Sequence, residues 1–123
     1  IAVTSPIGGH AVYIDARKFY PDIPIDQYPG QALVCELYKA GGIRCVEVGS
    51  VMFGKYDAEG KLIPAKRDLV RLAIPRRVYT QSHVDYVIEV FEHIWNHREG
   101  VRGYRIVHET QYLRHFTAQF APC

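Results

Sequence analysis

The clearest alternation of apolar and polar positions in the chain lies between Leu69 and Ile74. Val70, Leu72 and Ile74 fall on one side of an extended backbone, and Arg71 falls on the other. The pattern predicts a strand with one apolar face and a guanidinium group on the opposite face. A guanidinium suits a carboxylate or a phosphate, but a solvated arginine on the open face of an antiparallel sheet gives the same pattern.

Further strands are predicted at residues 10–15, a short apolar run, at residues 43–52, which are rich in β-branched side chains, and at residues 104–108. Residues 54–66 contain a turn-forming group at positions 57–60 and are interpreted as a long polar loop. Strands therefore alternate with loops and helices along the chain.

Two segments repeat apolar residues at helical spacing. The first begins at Pro29, ends at Gly41 and Gly42, and carries a predicted apolar face of Leu33, Val34, Leu37 and Tyr38. The second is predicted to begin with Ser82 as its N-cap and to end before Gly100. Its apolar stripe consists of Val84, Val87, Ile88, Phe91, Ile94 and Trp95.

These elements predict an α/β two-layer sandwich with a mainly antiparallel sheet, with helices on one face and the other face lining a cleft. The 123 residues are expected to form a single domain, 1–123. A net charge of +2 argues against a nucleic-acid partner. Three cysteines without a C-x-x-C pair favour reduced thiols and a cytoplasmic location, and no apolar run predicts a membrane span.

Motifs with a known chemistry are nearly absent. His93 and His97 lie one helical turn apart, but the glutamate of the metalloprotease motif is missing, so a solvated helix face is the favoured interpretation. No metal site is predicted. By motif alone the chain would stay unassigned.

Seven short blocks give the chain a specific resemblance. They are Gly-Gly-His-Ala-Val (8–12), Gly-Ile-Arg (42–44), Val-Glu-Val-Gly-Ser (46–50), Val-Arg-Leu (70–72), Ile-Pro-Arg-Arg-Val-Tyr-Thr (74–80), His-Val-Asp-Tyr (83–86) and Leu-Arg-His-Phe-Thr-Ala (113–118). In this order they resemble the C-terminal part of the tryptophanase (tryptophan indole-lyase) family and of its sister family, the tyrosine phenol-lyases.

The resemblance implies a pyridoxal 5'-phosphate enzyme of the aspartate-aminotransferase fold, of which this chain would be the C-terminal small-domain portion. The implied reaction is β-elimination of L-tryptophan to indole, pyruvate and ammonia. The Schiff-base lysine, the phosphate-binding loop and a monovalent-cation (K⁺) site would lie in an upstream large domain. The resemblance therefore implies a fragment that is inactive alone, with the large domain as its partner in a cytoplasmic homotetramer.

The resemblance also implies roles for individual residues. Arg71 would bind the α-carboxylate of the amino-acid substrate. Tyrosine phenol-lyase has arginine at the position of Val48 and phenylalanine at that of His115, so Val48 and His115 indicate a pocket for indole, with Phe116 packing on a ring. His10 matches a histidine near the family's active site, and a buried core histidine is an equally good interpretation.

Two alternatives stay open at the level of sequence. One is the C-terminal domain of a tyrosine phenol-lyase with altered pocket residues. The other is a non-catalytic module that kept the small-domain fold as a partner-binding unit.

Overall fold

The computed structural model describes residues 1–123 and contains seven strands and five α-helices. In chain order they are β1 (Ala11–Asp15), α1 (Ala16–Phe19), α2 (Pro29–Gly41), β2 (Val46–Val48), α3 (Ser50–Phe53), β3 (Lys55–Tyr56), β4 (Leu62–Ile63), β5 (Leu69–Ala73), α4 (Gln81–Asn96), β6 (Tyr104–His108), α5 (Arg114–Thr117) and β7 (Gln119–Pro122). A 3₁₀ turn, Ile25–Gln27, precedes α2.

The central sheet has β5 in the middle, paired antiparallel with β1 on one side and β2 on the other. Val70 and Leu72 are buried while Arg71 is half-buried, so the predicted alternation along this strand is confirmed. Tyr13 of β1 and Val46 of β2 stand directly opposite Arg71 in the two ladders. All strand pairs in the chain are antiparallel.

The hydrophobic core lies between the inner face of this sheet and the helices. Helix α2 packs against β2 and β5, and α4 packs on α2. The core consists of Ile14, Ala16, Phe19, Tyr20, Ile23, Ala32, Leu33, Leu37, Val70, Leu72, Val90, Phe91 and Ile94. The predicted α/β fold with helices over a mainly antiparallel sheet is confirmed.

The helices differ from the predicted ones in detail. Tyr38 and Ile88 are 61% and 49% exposed, and Val90 is buried instead, so the buried stripes are narrower than the apolar ones. Helix α4 begins after Thr80, not Ser82, because the Thr80 and His83 side chains satisfy each other's backbone N–H groups in a capping box. Gly42 ends α2 in the left-handed conformation, with φ of 64°.

The predicted strand at residues 43–52 is wrong outside Val46–Val48. The strand is only three residues long, and α3 begins at Ser50. Gly49 makes the corner possible, because a Cβ there would lie 2.5 Å from Asp68 Oδ1 and 2.6 Å from Glu47 Oε1. Around this corner the buried carboxylates of Asp68 and Glu47 accept hydrogen bonds from the first backbone N–H groups of α3. A strand that continued through these residues would not make those bonds.

The interpretation of residues 54–66 as a loop is also wrong, because β3 and β4 form a short hairpin there. The turn chemistry itself is present: Asp57 Oδ1 accepts hydrogen bonds from the backbone N–H groups of Glu59 and Lys61.

Strand β6 occupies the predicted residues and pairs with β7. None of the helices combines the length and the apolar character that crossing a bilayer requires.

Candidate functional site

The candidate site is the open face of the central sheet around Arg71. Arg71 lies between Tyr13 on β1 and Val46 on β2, and the small Ala73 follows on its own side of β5. Cross-strand neighbours in register have their side chains on the same face. The guanidinium group therefore stands on a rigid platform with an aromatic residue on one side and an aliphatic residue on the other.

Arg71 has no anionic partner within the chain. The ion pairs of the molecule join Arg17 to Asp68, Lys18 to Asp15, Lys39 to Glu36 and Arg114 to Glu109. Asp15, the acid on the same face as Arg71, accepts the backbone N–H of Lys18 at 3.3 Å and so caps α1. A half-buried, unpaired guanidinium is suited to an anion from outside the chain.

Val48 lies on the same face as Arg71. It pairs with Leu69, two residues before Arg71 on β5, so its side chain is a diagonal neighbour of the guanidinium. Arg71, which the resemblance assigns to the substrate carboxylate, and Val48, which it assigns to the indole ring, therefore lie on the same face of the sheet.

His115 and Phe116 lie on α5. This helix packs against α3, the element that follows Val48 and the Gly49 corner in the chain. Their ring centroids are 4.1 Å apart. His115 is half-buried, whereas Phe116 is 77% exposed. The two rings therefore form a partly exposed aromatic pair on the helix that packs against α3.

His10 stands apart from this group. It is exposed and immediately precedes β1, where its carbonyl accepts the N–H of Ile74 at 2.8 Å. The interpretation of His10 as a buried core histidine is wrong, because the chain only enters the core at β1. The antiparallel register places His10 at the opposite end of the sheet from Val48.

Tyr13 and Asp68 were not among the sequence-predicted site residues. Tyr13 escapes notice because it sits inside an apolar run, and only the strand register shows that it faces Arg71. Asp68 is 1% exposed and accepts the N–H of Ser50 at 2.7 Å and Nε of Arg17 at 2.5 Å. It fixes the start of α3 to the residue that directly precedes β5.

Glu47 completes this buried corner. It faces the core, and its carboxylate accepts the backbone N–H groups of Val51 and Met52, each at 3.2 Å. Burial raises its pKa to about 7. The hydrogen bonds from the backbone N–H groups of Val51, Gly49 and Met52 lower this pKa, and the negative charge of Asp68 raises it. Its role here is structural, since it points away from the open face.

The raised pKa of Glu47 predicts a stability that depends on pH. The folded chain holds the carboxyl proton of Glu47 more tightly than the unfolded chain does. The stabilisation that protonated Glu47 contributes is therefore fully present below its ordinary pKa of 4.5 and is lost as the pH rises through about 7. We expect the free energy of unfolding to fall over this range by at most about 1.4 kcal/mol per pH unit. Urea unfolding of the chain at several pH values between 4.5 and 8 measures it.

Glu47→Gln should flatten this slope, and the exposed Glu59→Gln, as a matched control, should leave it unchanged. A slope that is identical in the Glu47→Gln variant and the wild-type chain would contradict the assignment. Only the slopes are compared, because Val51 and Met52 donate to different oxygens of Glu47. In glutamine one of these oxygens is replaced by an NH2 group that cannot accept, which lowers the stability at every pH.

A large groove of about 950 Å³ lies elsewhere, on the helix side of the sheet. It is lined mainly by apolar side chains of α4 and the inner sheet face, such as Leu72, Val87 and Phe91, and it includes none of Arg71, Val48 and His115. The groove is therefore not part of the candidate site.

The lysines of the chain lie away from the candidate site. All five lysines are exposed, and none stands on the open face with Arg71: they are Lys18, Lys39, Lys55, Lys61 and Lys66. Lys39 is engaged by Glu36 and by the hydroxyl of Tyr104. No group of three or more His, Cys, Asp or Glu side chains converges as a metal site would require.

Comparisons with known proteins agree with the sequence blocks. The chain is 56% identical over 120 residues to a tryptophanase of Hyphomonas neptunium, a match that covers 98% of the chain and 26% of that protein. It is 55% identical over 122 residues to a tryptophanase of Salinibacter ruber, covering 99% of the chain and 26% of the relative. A tryptophanase of Escherichia coli O157:H7 is 48% identical over 117 residues, 95% of the chain and 25% of the relative.

The chain thus spans about a quarter of the length of the curated relatives that it matches. No profile of a known protein family matches it. The predicted resemblance to tryptophanases is confirmed over almost the whole chain.

Proposed function

Because the chain is similar to tryptophanases from end to end, we propose that it is the C-terminal portion of a tryptophan-cleaving lyase and supplies its contacts to the substrate carboxylate and indole ring. The observation that carries the proposal is the half-buried Arg71, which has no partner within the chain and shares a face with Val48. A cation for the carboxylate and an apolar wall for the ring then lie side by side, as an aromatic amino acid requires.

Arg71 binds the α-carboxylate in this proposal. A planar guanidinium forms two parallel charge-assisted hydrogen bonds with a carboxylate and so fixes its orientation as well as its position. Because Arg71 is on the central strand of the sheet, the carboxylate is held on an element that is paired on both sides. Its task is to orient the substrate, not to transfer a proton.

Val48 and His115 recognise the ring. The aliphatic side chain of Val48 offers apolar contact to the hydrocarbon edge of indole, and it offers nothing to a phenol hydroxyl. A ring nitrogen of His115 accepts a hydrogen bond from the indole N–H, and the ring of Phe116 lies close to it, with centroids 4.1 Å apart. The same chemistry disfavours tyrosine as the substrate.

The remaining parts of the proposed enzyme lie outside these 123 residues. Pyridoxal 5'-phosphate would supply the electron sink for β-elimination to indole, pyruvate and ammonia, and the lysine and phosphate contacts that hold it would come from an upstream large domain. A K⁺ site upstream, a homotetrameric assembly and a cytoplasmic location complete the proposal. The chain by itself should be inactive.

The substrate test compares indole release from tryptophan with phenol release from tyrosine. The complete enzyme should release indole efficiently and little phenol. His115→Phe should lower kcat/KM for tryptophan by about tenfold, since one hydrogen bond to the ring contributes on the order of 1 kcal/mol, and should leave the absorbance of the bound cofactor unchanged. The exposed His108→Phe serves as the matched control.

Two outcomes would contradict the proposal. A strong preference for tyrosine would indicate a tyrosine phenol-lyase. A complete protein that shows no cofactor absorbance and no lyase activity would indicate a non-catalytic module.

A further inference from the structure

We infer that Arg114 is a positioning residue that ties the helix carrying His115 and Phe116 to α3 and thereby sets the preference of the enzyme for an indole-bearing substrate. The inference rests on the proposed function. It concerns a residue that does not itself face the substrate and whose role follows from its contacts with the backbone of α3.

Arg114 binds three backbone carbonyl groups of α3 and its C-cap, those of Ser50, Val51 and Gly54. Its Nη2 donates to the carbonyls of Ser50 at 2.5 Å and Gly54 at 3.0 Å. Its Nε donates to the carbonyl of Val51 at 2.6 Å. The remaining Nη1 pairs with the Glu109 carboxylate at 3.3 Å, and the side chain is only 12% exposed. Every arm of the guanidinium is therefore used inside the protein.

The element that Arg114 binds is itself fixed to the central sheet. The first amides of α3 are bound by Asp68 and Glu47, which flank the Gly49 corner. Asp68 directly precedes β5, the strand that carries Arg71, and Glu47 directly precedes Val48. Hydrogen bonds therefore link the residues that precede β5 and Val48 to α3, and α3 to Arg114, the residue directly before His115.

The segment that carries His115 buries little apolar surface. Leu113, immediately before Arg114, has φ of 53° and ψ of 36°, a left-handed conformation that is unfavourable for a residue with a branched side chain. Its neighbours Tyr112 and Phe116 are 76% and 77% exposed. Thr110 bonds to the Tyr112 carbonyl and the Thr117 hydroxyl, each at 2.7 Å, within the segment itself. Because apolar burial contributes little here, the hydrogen bonds of Arg114 are the ones that hold this turn against α3.

Arginine is the residue type that this geometry needs. Three carbonyls and one carboxylate are reached by donors in a fixed planar fork, whereas the single ammonium of lysine cannot span the same set. Space is limited as well: a Cβ at Gly54 would lie 2.3 Å from the Ser50 carbonyl and 2.9 Å from Nη2 of Arg114. Arg114→Lys is therefore expected to keep only part of the positioning of His115.

The test uses the complete enzyme with Arg114→Gln, Arg114→Lys and a matched control, Arg105→Gln, which changes an exposed arginine of β6. Each variant is assayed with tryptophan and with 3-chloroalanine, a substrate that has the same carboxylate and amine but no ring. Arg114→Gln should lower kcat/KM for tryptophan at least about tenfold and change that for 3-chloroalanine less than about twofold, with Arg114→Lys in between. Arg105→Gln should change neither.

A double-mutant cycle with His115→Phe separates positioning from a general loss of structure. If Arg114 acts by holding His115, Arg114→Gln should have little further effect on tryptophan once His115 is phenylalanine. Hydrogen exchange of residues 110–118 should also be faster in Arg114→Gln than in the wild-type enzyme, while that of α4 stays the same.

Three results would overturn the inference: an equal loss on both substrates, additive effects in the cycle, or unchanged exchange at residues 110–118. Failure of the proposed function has a different signature. In that case His115→Phe alone leaves the ratio of the two kcat/KM values unchanged, whatever Arg114→Gln does to hydrogen exchange.

Discussion

Arg71→Ala in the complete enzyme should lower kcat/KM for tryptophan by about 30- to 1,000-fold, corresponding to about 2–4 kcal/mol for the loss of a charge-assisted carboxylate contact. The effect should be large because Arg71 is half-buried and has no ion-pair partner within the chain, so that its charge is available to the substrate. For the same reason the variant should keep its stability. Steady-state kinetics and thermal unfolding of the purified enzyme measure both.

Two further variants make this prediction specific. Arg71→Lys keeps the charge but not the two parallel donors, and should give an intermediate kcat/KM. Arg67→Ala removes an exposed arginine four residues earlier and should have no effect. A kcat/KM for Arg71→Ala within twofold of the wild-type value would refute the carboxylate role, and an equal loss in Arg67→Ala would point to a nonspecific charge effect.

Asp68→Ala should lower the free energy of unfolding by about 2–4 kcal/mol, because it leaves buried hydrogen-bond donors without their acceptor. The carboxylate is 1% exposed and is shared by the N–H of Ser50 and by Nε of Arg17. In this variant Arg17 keeps a hydrogen bond from Nη2 to the carbonyl of Ala65 at 2.7 Å and is partly exposed to solvent. The loss of its bond to Asp68 therefore adds only moderately to the destabilisation. Urea unfolding at pH 7 measures the difference.

Asp68→Asn should be less damaging than Asp68→Ala, since the amide oxygen still accepts the N–H of Ser50. Asp22→Ala, which changes an exposed aspartate, should be neutral. A loss below about 0.5 kcal/mol in Asp68→Ala, which is the range of ordinary surface substitutions, would show that Asp68 does not stabilise the α3 corner.

The central strand could be predicted in detail because the alternation of Val70, Arg71 and Leu72 depends only on the period of two of an extended chain. Helical spacing likewise predicted Leu33 and Leu37 of α2 and Phe91 and Ile94 of α4 as core residues, but it missed Ala32 and Val90. The N-cap of α4 could not be predicted in this way, because both Thr80 and Ser82 have capping side chains. Only the reciprocal hydrogen bonds between Thr80 and His83 select one of them.

The corner after Val48 shows why local pattern fails. A run of β-branched residues predicts that the strand continues, but the backbone turns into α3 at Ser50. The turn depends on Asp68, which is eighteen residues away in the sequence and accepts the N–H of Ser50. No window of sequence around Val48 contains that contact.

By itself the sequence determined the fold class, the inner and outer faces of β5, and the resemblance to tryptophanases that gives Arg71, Val48 and His115 their proposed roles. Each of these follows from residue types at short spacing or from ordered blocks. Only the tertiary structure decided that Arg71 is unpaired, that Tyr13 and Val48 share its face, that His10 lies apart and exposed, and that Arg114 joins α5 to α3. Those facts depend on strand register and on hydrogen bonds between residues up to 64 positions apart, which short-range periodicity does not encode.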